Sequence, residues 1–178
     1  MRTQHTKIGS WLTLAVLAFL SLVPMLFAPA FPVAEAGGVQ QKSAGAGWTK
    51  CSGTTCTDTV LRGTIMGSSK TLSFEQTTYK KSNGKVISRR EAFARNVNFT
   101  QNGLQSASVN DKIAMKQCNA QDVCKKGSVQ VNVKWTGKGK VRTEREDGTR
   151  FRDAKVTGTV AGNGIGRVDF ANISVLPR

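Results

Sequence analysis

From Ser128 to Trp135 polar and apolar residues alternate without a break, with Val129, Val131, Val133 and Trp135 set against Ser128, Gln130, Asn132 and Lys134. A period of two sends successive side chains to opposite faces of a strand, so this run predicts a half-buried strand whose odd-numbered residues face a core. Ala154, Val156, Gly158 and Val160 repeat the pattern against Lys155, Thr157 and Thr159, and Leu72 with Phe74 begins another run beside Thr71, Ser73 and Glu75. Asn83-Gly84, Asn102-Gly103 and Asp147-Gly148 supply the positive-φ residues that tight hairpins demand, while Gly137-Lys138-Gly139 and Gly162-Asn163-Gly164 mark looser connections. About eight strands at these spacings predict an all-β fold, an antiparallel β-sandwich or barrel. Ala92 to Val97 and Asp111 to Gln117 also admit short helices, although both read better as joining strands.

The amino-terminal residues follow a different rule. Arg2 and Lys7 precede a stretch from Ile8 to Phe31 without a formal charge, and Ala34-Glu35-Ala36 then presents small residues on either side of one position. That is the layout of a cleavable secretory signal over residues 1–36, with cleavage after Ala36. The competing reading is a retained membrane anchor, since the apolar run approaches the roughly 20 residues that span a bilayer. No cysteine follows the run closely, the first being Cys51, which argues against a lipid-modified amino terminus. Gly37 to Gly47, rich in Gly, Ala, Ser and Gln, reads as a flexible linker, and the β domain is expected from Trp48 to Arg178.

Charge and histidine content then narrow the chemistry. The 178 residues carry 26 Lys+Arg against 11 Asp+Glu, a formal net charge of +15, and loss of Arg2, Lys7 and Glu35 with the signal lowers it to +14. The single histidine, His5, lies in the segment expected to be removed. A product without imidazole has no Ser-His-Asp or Cys-His nucleophile, no histidine-bearing metal site and no imidazole pH switch.

Four cysteines, Cys51, Cys56, Cys118 and Cys124, are an even count in a chain marked for export, where thiols oxidise. The short spacings favour Cys51 with Cys56 and Cys118 with Cys124. Links between the two regions are the alternative; by closing longer loops they would stabilise more, about 4 kcal/mol each against about 2 to 3. A zinc site made from all four lacks the usual C-x2-C spacing, and no metal or cofactor is expected. The missing C-x-x-C also argues against a thioredoxin-like role.

Other motifs fail on spacing. The stretch from Gly63 to Thr71 does not meet the phosphate-loop pattern, and Gly162-Asn163-Gly164-Ile165-Gly166 lacks both the final glycine and the helix of a dinucleotide fingerprint. Asn98-Phe99-Thr100 and Asn172-Ile173-Ser174 have sequon form but fall in predicted strands. Glu144, Glu146, Asp147 and Asp153 are near enough in sequence to suggest the carboxylate pair of a glycan hydrolase. Arg142, Arg145, Arg150 and Arg152 are interleaved with them, the arrangement of a solvated hairpin with cross-strand ion pairs, so no catalytic residue is assigned.

The basic residues are the remaining signal. Lys80, Lys81, Lys85, Arg89 and Arg90 bracket one turn, Lys125 and Lys126 follow Cys124, and Lys138, Lys140 and Arg142 lead into the Arg-rich hairpin. Gathered at one end of a β-fold, they would attract a polyanion with salt-sensitive affinity. Specific nucleic-acid recognition is not expected, because aromatics for base stacking are few and Trp135, Phe74 and Phe170 read as core. The simpler alternative is that the charge only maintains solubility or proximity to an anionic cell surface.

Val131-Asn-Val133-Lys-Trp135-Thr136-Gly137-Lys-Gly139, then Arg142, then Phe151-Arg152-Asp153-Ala154 through Val160, resembles a pattern of uncharacterised secreted bacterial all-β proteins. The resemblance covers residues 129 to 160 and implies a bacterial source, with no activity attached. The expectation is therefore a secreted or envelope-associated, non-enzymatic β-protein that binds an anionic cell-surface polymer or other polyanion. Membrane contact is expected only through an uncleaved signal. A carboxylate-dependent glycan hydrolase, and a structural, inhibitory or assembly domain with a protein partner, are the alternatives.

Overall fold

The computed structural model describes residues 40–177, so the expected signal at residues 1–36 lies outside them. The described chain is built from strands: β1 (Gln41–Ser52), β2 (Thr55–Met66), β3 (Ser69–Lys80), β4 (Val86–Arg95), β5 (Phe99–Asn102), β6 (Ser106–Asn119), β7 (Cys124–Gly137), β8 (Arg142–Thr143), β9 (Arg150–Val160), β10 (Asn163–Gly164) and β11 (Arg167–Leu176). Neither of the windows that admitted a helix contains one: residues 92–95 belong to β4 and residues 111–117 to β6. Gly84, Gly103 and Gly148 all take positive φ, as their hairpin turns require.

All strand pairings are antiparallel and belong to one sheet. Following the ladders from β1 gives β2, β3, β4, β6, β7, β9 and β11, and β11 pairs again with β1, so the sheet is a ring. Strand β5 continues the course of β4 after a break at Asn96 (φ 57°) and pairs with the first part of β6. Closure gives most strands two hydrogen-bonded neighbours, which removes the free edges that invite aggregation.

The expected alternation sorts residues between the inside and outside of this ring. Val129, Val131, Val133 and Trp135 are buried, as are Leu72, Phe74, Ala154, Val156 and Val160. Phe99 meets Trp135 edge-on, with ring centroids 6.3 Å apart and an interplanar angle of 89°, a favoured aromatic arrangement. The Trp135 indole N–H donates to the Gly45 carbonyl at 3.1 Å, which satisfies the one polar group of a fully buried side chain.

Two expectations need correction. The linker does not extend to Gly47: residues 41–47 form the first half of β1, paired with both β2 and β11. Their small side chains are a packing requirement. Ala44 and Ala46 leave room inside for bulky neighbours, and the bare face of Gly47 is covered by Phe170, where an added Cβ would lie 2.3 Å from the ring. For the same reason Phe170 is not a core residue. It pairs with Gly47 on the outer face and stays 45% exposed, just before a bulge that places Val168 opposite Trp48.

Candidate binding surface at the cystine end of the ring

Antiparallel order places the β1–β2, β3–β4 and β6–β7 turns at one end of the ring. Both disulfides lie there. Cys51 and Cys56 face each other across the first hairpin, and Cys118 and Cys124 across the third; each pair is bonded as the spacing favoured.

Lys80, Lys81, Lys85, Arg89, Arg90, Lys125 and Lys126 all fall at this cystine end. Lys138, Lys140 and Arg142 do not; they lie in the β7–β9 connection at the opposite end. There Arg142 stacks on Phe151, 4.7 Å from the ring centroid, and pairs with Asp153. Lys138 and Arg142 line a groove of about 670 Å³ where β9 and β11 separate above their short ladder. These ten basic residues thus form two groups rather than one.

Within the cystine end, side-chain direction matters more than sequence clustering. Trp48 of β1 faces inward, and two residues on, Lys50 lies on the same face. The same alternation carries β3 from Phe74 through Gln76 and Thr78 to Lys80, and β4 from Ala92 back to Arg90. In β7 it runs from Val129 back to Lys125. Along this register the ring therefore changes from an apolar core to basic residues at its mouth, where Lys50, Lys80 and Lys125 are exposed. Lys50, Lys80, Arg90 and Lys125 occupy the register that holds core residues elsewhere, and no Asp or Glu shares that register at this end among the described residues.

A hydrogen-bonded network orders the transition. Gln76 and Arg90 are direct cross-strand partners, as are Arg90 and Gln117. Arg90 donates from Nε to Gln117 Oε1 at 3.2 Å and from Nη1 to Gln76 Oε1 at 3.3 Å. Gln76 Nε2 in turn donates to Thr59 Oγ1 at 3.1 Å, and the Thr57 and Thr78 hydroxyls are 3.1 Å apart. Thr59 is 2% exposed, which makes its partner in this network necessary. Between these groups and the β9–β10 turn lies a recess of about 250 Å³, with Trp48, Lys50, Arg90 and Asn163 on its walls. A second depression of about 410 Å³ runs beside Lys125 and Lys126 on the β6–β7 side.

No known family model, curated protein or solved structure matches this chain. Its chemistry has therefore to be read from its own side chains.

The acidic strand residues of this end stand on the outer wall, and Asp122 lies in the β6–β7 turn. The Thr49 hydroxyl, with one proton to share between them, lies 2.8 Å from an Asp58 oxygen and 3.0 Å from an Asp169 oxygen, and the Tyr79 hydroxyl donates to Asp58 at 3.3 Å. Desolvation, followed by the Asp58 carboxylate, raises the Tyr79 pKa above the ordinary phenol value. Among the described residues Lys80, Lys81, Lys85, Lys125 and Lys126 enter no ion pair; the pairs present are Lys116–Glu91, Arg142–Asp153 and Arg167–Asp169.

Two of the carboxylates considered for hydrolysis are engaged locally. Asp153 is held by Arg142, and Asp147 accepts the Thr149 backbone N–H at 2.8 Å, which depresses its pKa. Glu144, Glu146, Asp147 and Asp153 are all exposed. Sequence reasoning missed Lys50, Thr59, Gln76 and Gln117. The alternation in β1 and β3 held a signal for two of them, since Lys50 continues the Trp48 face and Gln76 the Phe74 face.

Proposed function

We propose that the ring is a small closed β-barrel, exported from the cell, and that its cystine end binds an anionic polymer at the cell surface without catalysing its conversion. The observation that carries this reading is the placement at one rim of basic side chains free of ion pairs among the described residues, on β3, β4, β7 and the β3–β4 turn. Cations brought together on a rigid scaffold raise the local concentration of a polyanion and release its counterions on contact. Two disulfides at the same end hold the hairpin tips in place and are consistent with an extracellular or secreted protein. Outward residues of β7 such as Gln130, Asn132 and Lys134 are polar, which suits a ring surrounded by water.

Retention on an immobilised sulfated polymer tests the reading. The oxidised protein is expected to elute well after a neutral protein of equal size, and Lys80→Gln/Lys81→Gln/Lys85→Gln to elute earlier. Elution of the unaltered protein together with the neutral control overturns the proposal.

A further inference from the structure

The recess beside Arg90 differs from the rim lysines in being partly enclosed, walled by fixed polar groups and free of acidic residues. We infer that it is a discrete site for a small oxyanion carried on a sugar-sized polar body, such as a uronic acid or a sulfated monosaccharide.

Three features select that class. First, the guanidinium has five N–H donors in a fixed fork. Gln117 and Gln76 use one each, from Nε and Nη1, so the others remain for a ligand while the fork is held in place. A carboxylate or sulfate matches that geometry and gains charge-assisted bonds from it. Lys50 stands at the mouth as a second cation. Second, the hydroxyls of Thr57 and Thr78, with the Asn163 amide, offer both donors and acceptors of the kind that bind sugar hydroxyls. Trp48 supplies an apolar surface beside them. Third, about 250 Å³ lies just below the roughly 300–1,000 Å³ of ordinary small-molecule sites, which suits one ring and not an oligomer. The mouth of a β-ring is also a recurrent place for such sites. Gln76 and Gln117 are positioning residues in this account, because they act on the ligand through Arg90.

The test follows the indole Nε1–H signal of Trp48 by nuclear magnetic resonance while the oxidised protein is titrated with glucuronate, glucose 6-sulfate, glucose or inorganic sulfate. A saturable shift with glucuronate or glucose 6-sulfate, and none with glucose, is the expected result, with the Trp135 indole unmoved. Arg90→Gln is expected to weaken the shift-derived affinity at least tenfold and Lys50→Gln several-fold, while Lys138→Gln leaves it unchanged. Should Arg90→Gln not fold, the exposed Lys50→Gln variant decides. Absence of a saturable Trp48 shift, equal binding of glucose, equal binding of bare sulfate, or affinity unchanged in a folded Arg90→Gln variant each overturns the assignment. The site does not depend on the polymer reading: that one fails on the sulfated matrix, this one on Trp48.

Discussion

Gln76 and Arg90 face each other across the β3–β4 ladder, and the arginine donates to the glutamine at 3.3 Å from inside the ring. At the same interior level Thr59 is buried and accepts from Gln76, so one amide links a buried hydroxyl to a cation at the mouth. Gln76→Leu removes both bonds and leaves Thr59 without its donor. Loss of a buried partner costs about 1–3 kcal/mol, and the expected outcome is a lower urea midpoint with an unchanged slope.

Trp135 gives the same kind of test at the apolar end. Trp135→Phe keeps most of the buried area and the approach to Phe99 but abandons the Gly45 carbonyl, for an expected loss of about 1–3 kcal/mol. Trp135→Ala adds a cavity and is expected to cost about 3–5 kcal/mol. Equilibrium denaturation of the two variants separates the hydrogen bond from the packing.

Two glycines of close approach should differ in tolerance. An added Cβ at Gly63 would lie 2.5 Å from the ring of Phe99, which is fully buried and cannot move aside. At Gly47 the obstacle is the ring of Phe170, 45% exposed and free to swing outward. Gly63→Ala is expected to lose about 1–3 kcal/mol through overpacking, and Gly47→Ala distinctly less, again by denaturation.

These details mark what was legible in the sequence. The period of two in β7 and β9, the positive-φ glycines and the cysteine spacings led to an all-β chain with the observed disulfides. The start of β1 was not legible, because Ala44, Gly45, Ala46 and Gly47 lack apolar contrast and form a strand only through the bulky partners that pack on them. Phe170 was misassigned because hydrophobicity alone does not tell a core residue from one covering a bare outer face. The candidate site was legible in its charges and not in its geometry. Cross-strand register decides that Arg90 meets Gln76 and Gln117, and that Arg142 ends up beside Asp153 at the far end.

Acid should loosen the hairpin between β8 and β9. The Thr149 N–H holds the Asp147 carboxyl below the ordinary aspartate range, so its folded pKa is lower than its unfolded one. The stabilisation is complete above the unfolded pKa and is lost as pH falls through the folded value. The amide resonance of Thr149 should therefore shift in acid, below the range in which free aspartates titrate, and Asp147→Ala should remove that shift.

Affinity for a sulfated polymer as a function of salt is the most direct test of the basic end. The account predicts a logarithm of affinity that falls linearly and steeply with the logarithm of salt concentration, by analogy with the roughly 0.9 per phosphate contact of duplex DNA. The slope should become shallower in Lys80→Gln/Lys81→Gln/Lys85→Gln and Lys125→Gln/Lys126→Gln, and should be unaffected by Lys138→Gln/Lys140→Gln. A slope near zero, or one that responds only to Lys138 and Lys140, would contradict it.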